Sequence, residues 1–177
     1  ARILEIIISI IGLTMGLALI PFVLIGNAIA NKGGLFYTQE RIGRNGKVFK
    51  ILKFRTMGKN AETNGAVFAT INDARITPFG KFLRKSRIDE FPQFYNILKN
   101  EMGVIGPRPE RPVFVSEIAK RMPFYETRHV IKPGLTGWAQ VNYSYGETIE
   151  DSLIKLQYDL YYIKHRSLFL DFNIMLK

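Results

Sequence analysis

The sequence predicts a helix-rich α+β fold: one N-terminal membrane helix, then a compact domain with amphipathic helices and a small β-hairpin. Three observations predict it. Residues 6–31 form a 26-residue run without a single charge. Asn45-Gly46 separates two strand-like runs, a strong hairpin signal. Residues 79–88, 113–121 and 148–165 read as helices. The whole chain has 177 residues, enough for one domain with a core. The expected division is a membrane element over 1–31 and a cytosolic domain over 32–177.

As a straight helix, the uncharged run would reach roughly 39 Å, against a hydrocarbon thickness of about 30 Å. It is too long for a signal peptide and lacks a clean small-x-small cleavage site. Pro21 inside it removes one backbone hydrogen bond and predicts a kink. Arg2 and Glu5 cancel, so the net charge of +10 lies entirely beyond residue 30. Positive charge resists translocation, which places the bulk of the chain on the cytoplasmic side. Two arrangements satisfy this: a kinked helix entering and leaving one leaflet, or a plain span with a tolerated proline. The first residue is Ala1, not Met, which suggests a piece of a longer protein.

The hairpin is expected over 35–56. Alternation in its second run puts Lys47, Lys53 and Arg55 on one face. That face is either a solvated or lipid-facing cationic edge, or a phosphate-facing strand. Residues 61–78 read as a loop. In 79–88, Phe79, Phe82, Leu83 and Ser86 share one helical face, with Lys81, Arg84, Lys85 and Arg87 around the rest. A further helix is expected over 92–100, with proline in its first turn. The stretch "KPGLTGW" (132–138) reads as a turn-rich loop. In 148–165, Leu153, Leu156, Leu160 and Tyr161 form the expected buried stripe.

The basic balance, 25 Lys and Arg against 15 Asp and Glu, calls for a polyanionic partner: nucleic acid, anionic lipid or a phosphorylated substrate. With no cysteine, disulfides and thiolate metal sites are excluded. Two histidines, His129 and His165, are too few for a histidine-rich metal cage and read as structural.

The residues that point to chemistry are Asp89 and Glu90, placed after Lys81, Arg84, Lys85 and Arg87 and before Pro92. A bland reading makes the pair a helix cap. A chemical reading makes it a reactive site: the cations suit a diphosphate, and an ionised carboxylate can attack phosphorus to form an acyl phosphate. A divalent cation shared with the carboxylates would neutralise the leaving group, and hard oxygen ligands favour Mg2+ or Mn2+ over zinc. "GPRPERP" (106–112) holds Arg108 and Arg111 among prolines, suited to bidentate phosphate binding or simply a stiff loop. Lys53, Arg55 and Gln140 are weaker candidates for substrate contact. Asp159 reads as a supporting residue or a surface carboxylate.

The stretches "QERIGRNGKVFKILKFRTM" (39–57), "GKFLRKSRIDEFPQFYNILKNEMGVIGPRPERP" (80–112), "KPGLTGWAQV" (132–141) and "LQYDLYYI" (156–163) resemble the bacterial sugar transferases, monotopic polyprenyl-phosphate phosphoglycosyl transferases. The resemblance implies transfer of a sugar 1-phosphate from a nucleotide diphosphate sugar, such as a UDP-sugar, to polyprenol (undecaprenyl) phosphate. Nucleoside monophosphate is released, and Mg2+ is required. It implies Asp89 as nucleophile, forming a covalent phosphosugar-aspartyl intermediate, with Glu90 as its partner in metal placement or proton transfer. Arg84 and Arg108 fall on the phosphate-binding arginines. The family's membrane element is a re-entrant helix broken at a proline, here Pro21, though Ile20 stands where a serine often precedes it. The implied location is the cytoplasmic membrane of a bacterium, among membrane lipids and without nucleic acid. Larger members carry upstream transmembrane helices, and this chain is expected to come from one. Two rival readings are a non-catalytic, membrane-anchored basic module for anionic lipid or nucleic acid, and a transferase that moves the sugar alone and releases nucleoside diphosphate.

Overall fold

The computed structural model describes residues 2–31, 33–59, 61, 73–143 and 148–177. Lys32 and most of the expected 61–78 loop lie outside the described residues. The fold is helix-rich α+β with two small two-stranded sheets. The chain forms two compact units. One comprises Ala1–Gln39 and Ile51–Lys99, the other Glu40–Lys50 and Asn100–Lys177.

In the first unit, helix α1 (Arg2–Ala30) carries Pro21 within it. Its buried positions Ser9, Gly12, Gly16, Val23 and Asn27 form one stripe at helical spacing. The small residues let aromatic rings approach. A side chain at Gly12 would enter the ring of Phe94, and one at Gly26 that of Phe79, while Gly16 faces Phe91. Much of the remaining surface of α1 is exposed and apolar, including Ile3, Ile10, Leu17, Ile25 and Ile29. The core helix of a soluble protein would be mostly buried, and this one is not.

Helix α2 (Pro78–Lys85) begins at a Thr77 cap, whose hydroxyl accepts from Gly80 N at 2.9 Å. Leu83 is buried with Val23 and Phe54, and Ile20, Leu35, Phe79, Ile88 and Phe91 pack around them. Each fully buried apolar side chain contributes about 1.5–3 kcal/mol. The expected apolar face of α2 is narrower than its sequence suggests. Phe82 is exposed and meets Phe22 of α1 edge-on, because Gly80 rather than Phe82 is pressed against the Thr56 carbonyl. Helix α3 (Gln93–Leu98) has Pro92 at its N-cap position.

Strands β1 (Phe36–Ile42) and β2 (Val48–Phe54) form the expected hairpin. Asn45 (φ 55°) and Gly46 (φ 75°) take the left-handed conformations its turn requires. The single cationic face is not found. Buried positions are odd-numbered at Phe49 and Ile51 but even-numbered at Phe54 and Thr56, so the alternation changes phase between Lys47 and Lys53.

The second unit contains β3 (Gly103–Ile105), α4 (Pro112–Arg121), β4 (Gly134–Thr136), α5 (Trp138–Asn142), α6 (Ile149–His165) and α7 (Leu168–Leu176). The expected 132–138 loop contains β4, parallel to β3 with Gly103 opposite Gly134 and Ile105 opposite Thr136. Its glycines serve close approach, since a side chain at Gly134 would strike the Gly106 backbone. Helix α6 starts at a capping box in which Thr148 Oγ1 accepts from Asp151 N and Thr148 N donates to Asp151 Oδ2. Of its expected stripe Leu156 is buried, but Leu153 is 45% and Tyr161 48% exposed, and Asp159 and Tyr162 are buried instead. Polar partners choose that face, Arg128 for Asp159 and Asp171 of α7 for Tyr162.

Candidate active site

Asp89 and Glu90 lie in a 3-10 turn, Ile88–Glu90, just upstream of α3. They are 5% and 8% exposed. The chain enters this turn through Arg87, held left-handed at φ 58°. Such a conformation costs about 1 kcal/mol or more in a non-glycine residue and concentrates at functional sites. Neither carboxylate occupies the N-cap position of α3, which belongs to Pro92.

Glu90 is held by cations on both oxygens. Lys53 Nζ donates to Oε1 at 3.0 Å, and Arg87 Nη1 lies 3.9 Å from Oε2. Lys53 comes from β2, whose position is set next door: Leu52 N donates to Asn96 Oδ1 of α3 at 3.0 Å. Arg84 Nε donates to Thr56 Oγ1 at 3.0 Å, just past the end of the same strand. Arg55 donates to the carbonyls of Gly34 and Phe36 and so ties the start of β1 to the end of β2. Gln93, one turn beyond the dyad, is buried at 2% exposure, and its Nε2 has no hydrogen-bond partner among the described residues. Sequence reasoning passed over Gln93 and Asn96. Their signal was the spacing Asp89, Gln93, Asn96, polar residues at i, i+4 and i+7.

Both ends of α1 are fastened to this unit. At one end Arg2 donates to the carbonyls of Ile97 and Leu98, both at 2.8 Å, satisfying the end of α3. At the other, Asn31 donates to the Arg55 carbonyl at 2.8 Å and accepts from the Thr77 hydroxyl.

Arg108, Arg111 and Gln140 belong to the second unit. Arg111 occupies the N-cap position of α4, its guanidinium 5.6 Å from the Phe114 ring centre. Gln140 Nε2 donates to the Leu135 carbonyl, and its buried Oε1 has no partner among the described residues. Arg108 is carried by a segment whose carbonyl accepts from Arg128 Nη2 at 2.9 Å. Arg128 also pairs with Asp159, through Nε at 3.0 Å and Nη2 at 2.7 Å, and donates to the Tyr125 hydroxyl at 2.8 Å. Asp159 is therefore a buried ion-pair partner, not a surface carboxylate. Burial opposes the charge on Arg128, but Asp159 outweighs it and holds the guanidinium protonated, its pKa above the ordinary value. Burial pushes the Tyr125 hydroxyl up to about 12. Burial, with the Arg128 charge beside it, pushes His129 down to about 4.

Among the described residues no three His, Cys, Asp or Glu side chains stand together as a metal cage. Asp89 and Glu90 offer two hard oxygen donors. That is the usual protein share of a Mg2+ site, which substrate phosphates and water complete.

These features define a class: a helix-rich α+β domain with one long apolar helix and a buried acidic dyad whose Glu90 is paired with cations. The chain belongs to the bacterial sugar transferase family, whose profile matches residues 1–177. It is 46% identical over 149 residues to the UDP-N-acetylgalactosamine-undecaprenyl-phosphate N-acetylgalactosaminephosphotransferase of Aeromonas hydrophila, covering 84% of this chain and 35% of that protein. It is 43% identical over 154 residues to the UDP-glucose:undecaprenyl-phosphate glucose-1-phosphate transferase of Xanthomonas campestris pv. campestris, covering 85% and 32%. A Bacillus subtilis (strain 168) protein, provisionally named an undecaprenyl-phosphate N-acetylgalactosaminyl 1-phosphate transferase, is 44% identical over 127 residues, covering 72% and 71%. The chain thus spans about a third of the length of the first two relatives.

Proposed function

We propose that this chain transfers a sugar 1-phosphate from a UDP-sugar to undecaprenyl phosphate at the cytoplasmic face of a bacterial membrane. The observation that carries this reading is the buried Asp89-Glu90 dyad among cations in a member of this family. The relatives' names supply the substrate class.

Asp89 is the nucleophile. Its carboxylate oxygen attacks the phosphorus that bears the sugar. The bond from that phosphorus to the bridging oxygen breaks, and UMP leaves with the electron pair. A phosphate oxygen of the polyprenol phosphate then attacks the same phosphorus, forms the new diphosphate, and returns Asp89 as a free carboxylate. Lys53 and Arg87 hold Glu90 beside the nucleophile. Arg84, Arg108 and Arg111 are assigned to phosphate oxygens, which guanidinium groups bind bidentately. Asp89 and Glu90 would hold Mg2+, or Mn2+, which supplies charge neutralisation at the diphosphate when bound.

Helix α1 is read as re-entrant, bent at Pro21 within one leaflet, with residues 1–31 as the membrane element and 32–177 as the cytosolic domain. Its polar attachments support this. Arg2 and Asn31, at opposite ends, both bond to the unit that carries the dyad. A plain span would carry those ends to opposite sides of the bilayer. The excess positive charge favours the cytoplasmic side. A non-catalytic basic module is not favoured, because it gives no reason to bury two carboxylates among its cations.

The test is incubation of the protein in lipid nanodiscs with UDP-glucose and UDP-N-acetylgalactosamine, each radiolabelled in the sugar. Label on Asp89 and release of UMP are expected. Release of UDP would instead indicate transfer of the sugar alone. Full activity in Asp89→Asn, without label on the protein, would sink the mechanism.

A further inference from the structure

The segment Pro107–Glu110 is held at four consecutive carbonyls by donors from three separate places in the second unit: Arg41 and Ile42 of β1, Arg128, and Gly134. Pro107 O accepts from Gly134 N at 2.9 Å, and Glu110 O accepts from Ile42 N at 2.9 Å. Arg108 O accepts from Arg128 Nη2 at 2.9 Å, and Pro109 O from Arg41 Nη1 at 3.0 Å. Pro107 and Pro109 fix their own φ and have no N–H to donate. The backbone on either side of Arg108 is thus set from outside.

Among these donors Arg128 is the most tightly fixed. Its Nε and Nη2 grip Asp159, its Nη1 donates to Tyr125, and Nη2 also reaches the Arg108 carbonyl. Arg128 and Asp159 are 5% and 2% exposed. Burying such a pair contributes little to stability by itself, because desolvation offsets the attraction. A planar guanidinium with both ends locked does something else: it presents a donor at a defined place.

We propose that Arg128 is a positioning residue for the transfer reaction: clamped by Asp159 and Tyr125, it fixes the backbone of Arg108 and so aims the Arg108 guanidinium at a substrate phosphate. Arg41 is the second, more exposed arm of the same clamp. This rests on the reading of Arg108 as a phosphate ligand. It adds that Arg128, Asp159 and Arg41 serve the reaction without touching substrate.

The test is a double-mutant cycle on the full chain in nanodiscs, with undecaprenyl phosphate and radiolabelled UDP-glucose or UDP-N-acetylgalactosamine, whichever turns over. Arg128→Lys keeps the charge beside Asp159 but loses the fork. A displaced phosphate ligand typically costs about 10- to 100-fold, so a kcat/KM loss of that order is expected when Arg108 is intact. In an Arg108→Lys background the same change should cost less than about 3-fold, the remainder expected once the aimed group is gone. Equal losses in both backgrounds, or no loss in either, overturn the proposal alone. Unchanged activity in Arg108→Lys and Arg108→Ala would remove the phosphate role of Arg108, and the proposal with it. If Arg128→Lys does not fold, Arg41→Gln decides by the same cycle: coupling to Arg108 supports the clamp, and additivity overturns it.

Discussion

Lys53 Nζ stands 3.0 Å from Glu90 Oε1, and both side chains are largely buried. A residue near the end of a hairpin strand therefore neutralises one of two adjacent carboxylates 37 positions later. Neighbours in contact couple by about 0.5–3 kcal/mol. The cycle of Lys53→Met, Glu90→Gln and the double variant should show a coupling of about 1 kcal/mol or more in chemical denaturation. Turnover in Lys53→Met should also fall, since Glu90 loses its nearest cation. Strict additivity in stability would mean that the pair is not maintained in solution.

The small-residue stripe of α1 seats the aromatic rings that flank the dyad. Gly12→Val would drive a side chain into the ring of Phe94. Overpacking of this kind costs about 1–3 kcal/mol. A lower thermal unfolding temperature is expected in detergent, together with lower activity. Gly58→Ala, which meets no atom of the described residues within 4 Å, is the control and should leave both near wild type.

His129 makes stability depend on pH. Its ordinary value of 6.5 is pushed down to about 4 by burial and by Arg128. In the unfolded chain it takes up a proton near 6.5, while in the folded chain it resists doing so until about 4. The contribution is therefore complete above about 6.5 and is lost as pH falls towards about 4. Urea midpoints across this window should decline with acid, and His129→Asn should flatten the decline. A wild-type midpoint that rises on acidification would contradict the assignment.

Gln93 carries a buried Nε2 without a hydrogen-bond partner among the described residues. An unsatisfied buried donor costs about 1–3 kcal/mol, and an apolar group of similar shape removes that penalty. Gln93→Met should therefore raise stability by about 1 kcal/mol in denaturant titration. A clear loss of stability would mean that the amide is satisfied in solution.

Much of this architecture was legible in the chain itself. The uncharged run and the Asn45-Gly46 turn are local signals, each tied to one backbone conformation or one solvent preference. Asp89 and Glu90 were legible as candidates because two carboxylates stood within a run of cations. Other features misled because they depend on distant partners. Leu153 and Tyr161 looked buried by spacing, yet the face of α6 is set by Asp159 and Tyr162 reaching Arg128 and Asp171. The glycines of 132–138 looked like turn residues and instead allow two strands to touch.

By itself, then, the sequence determined the membrane-seeking helix, the hairpin, the family and the acidic pair, because these follow from local composition and ordered motifs. The tertiary structure alone decided that Lys53 belongs to Glu90, that Arg2 and Asn31 tie both ends of α1 to one unit, and that Arg128 holds the backbone of Arg108. The physical reason is the same in each case. A buried charge or donor must find its partner across space, and no spacing along the chain names which partner that will be.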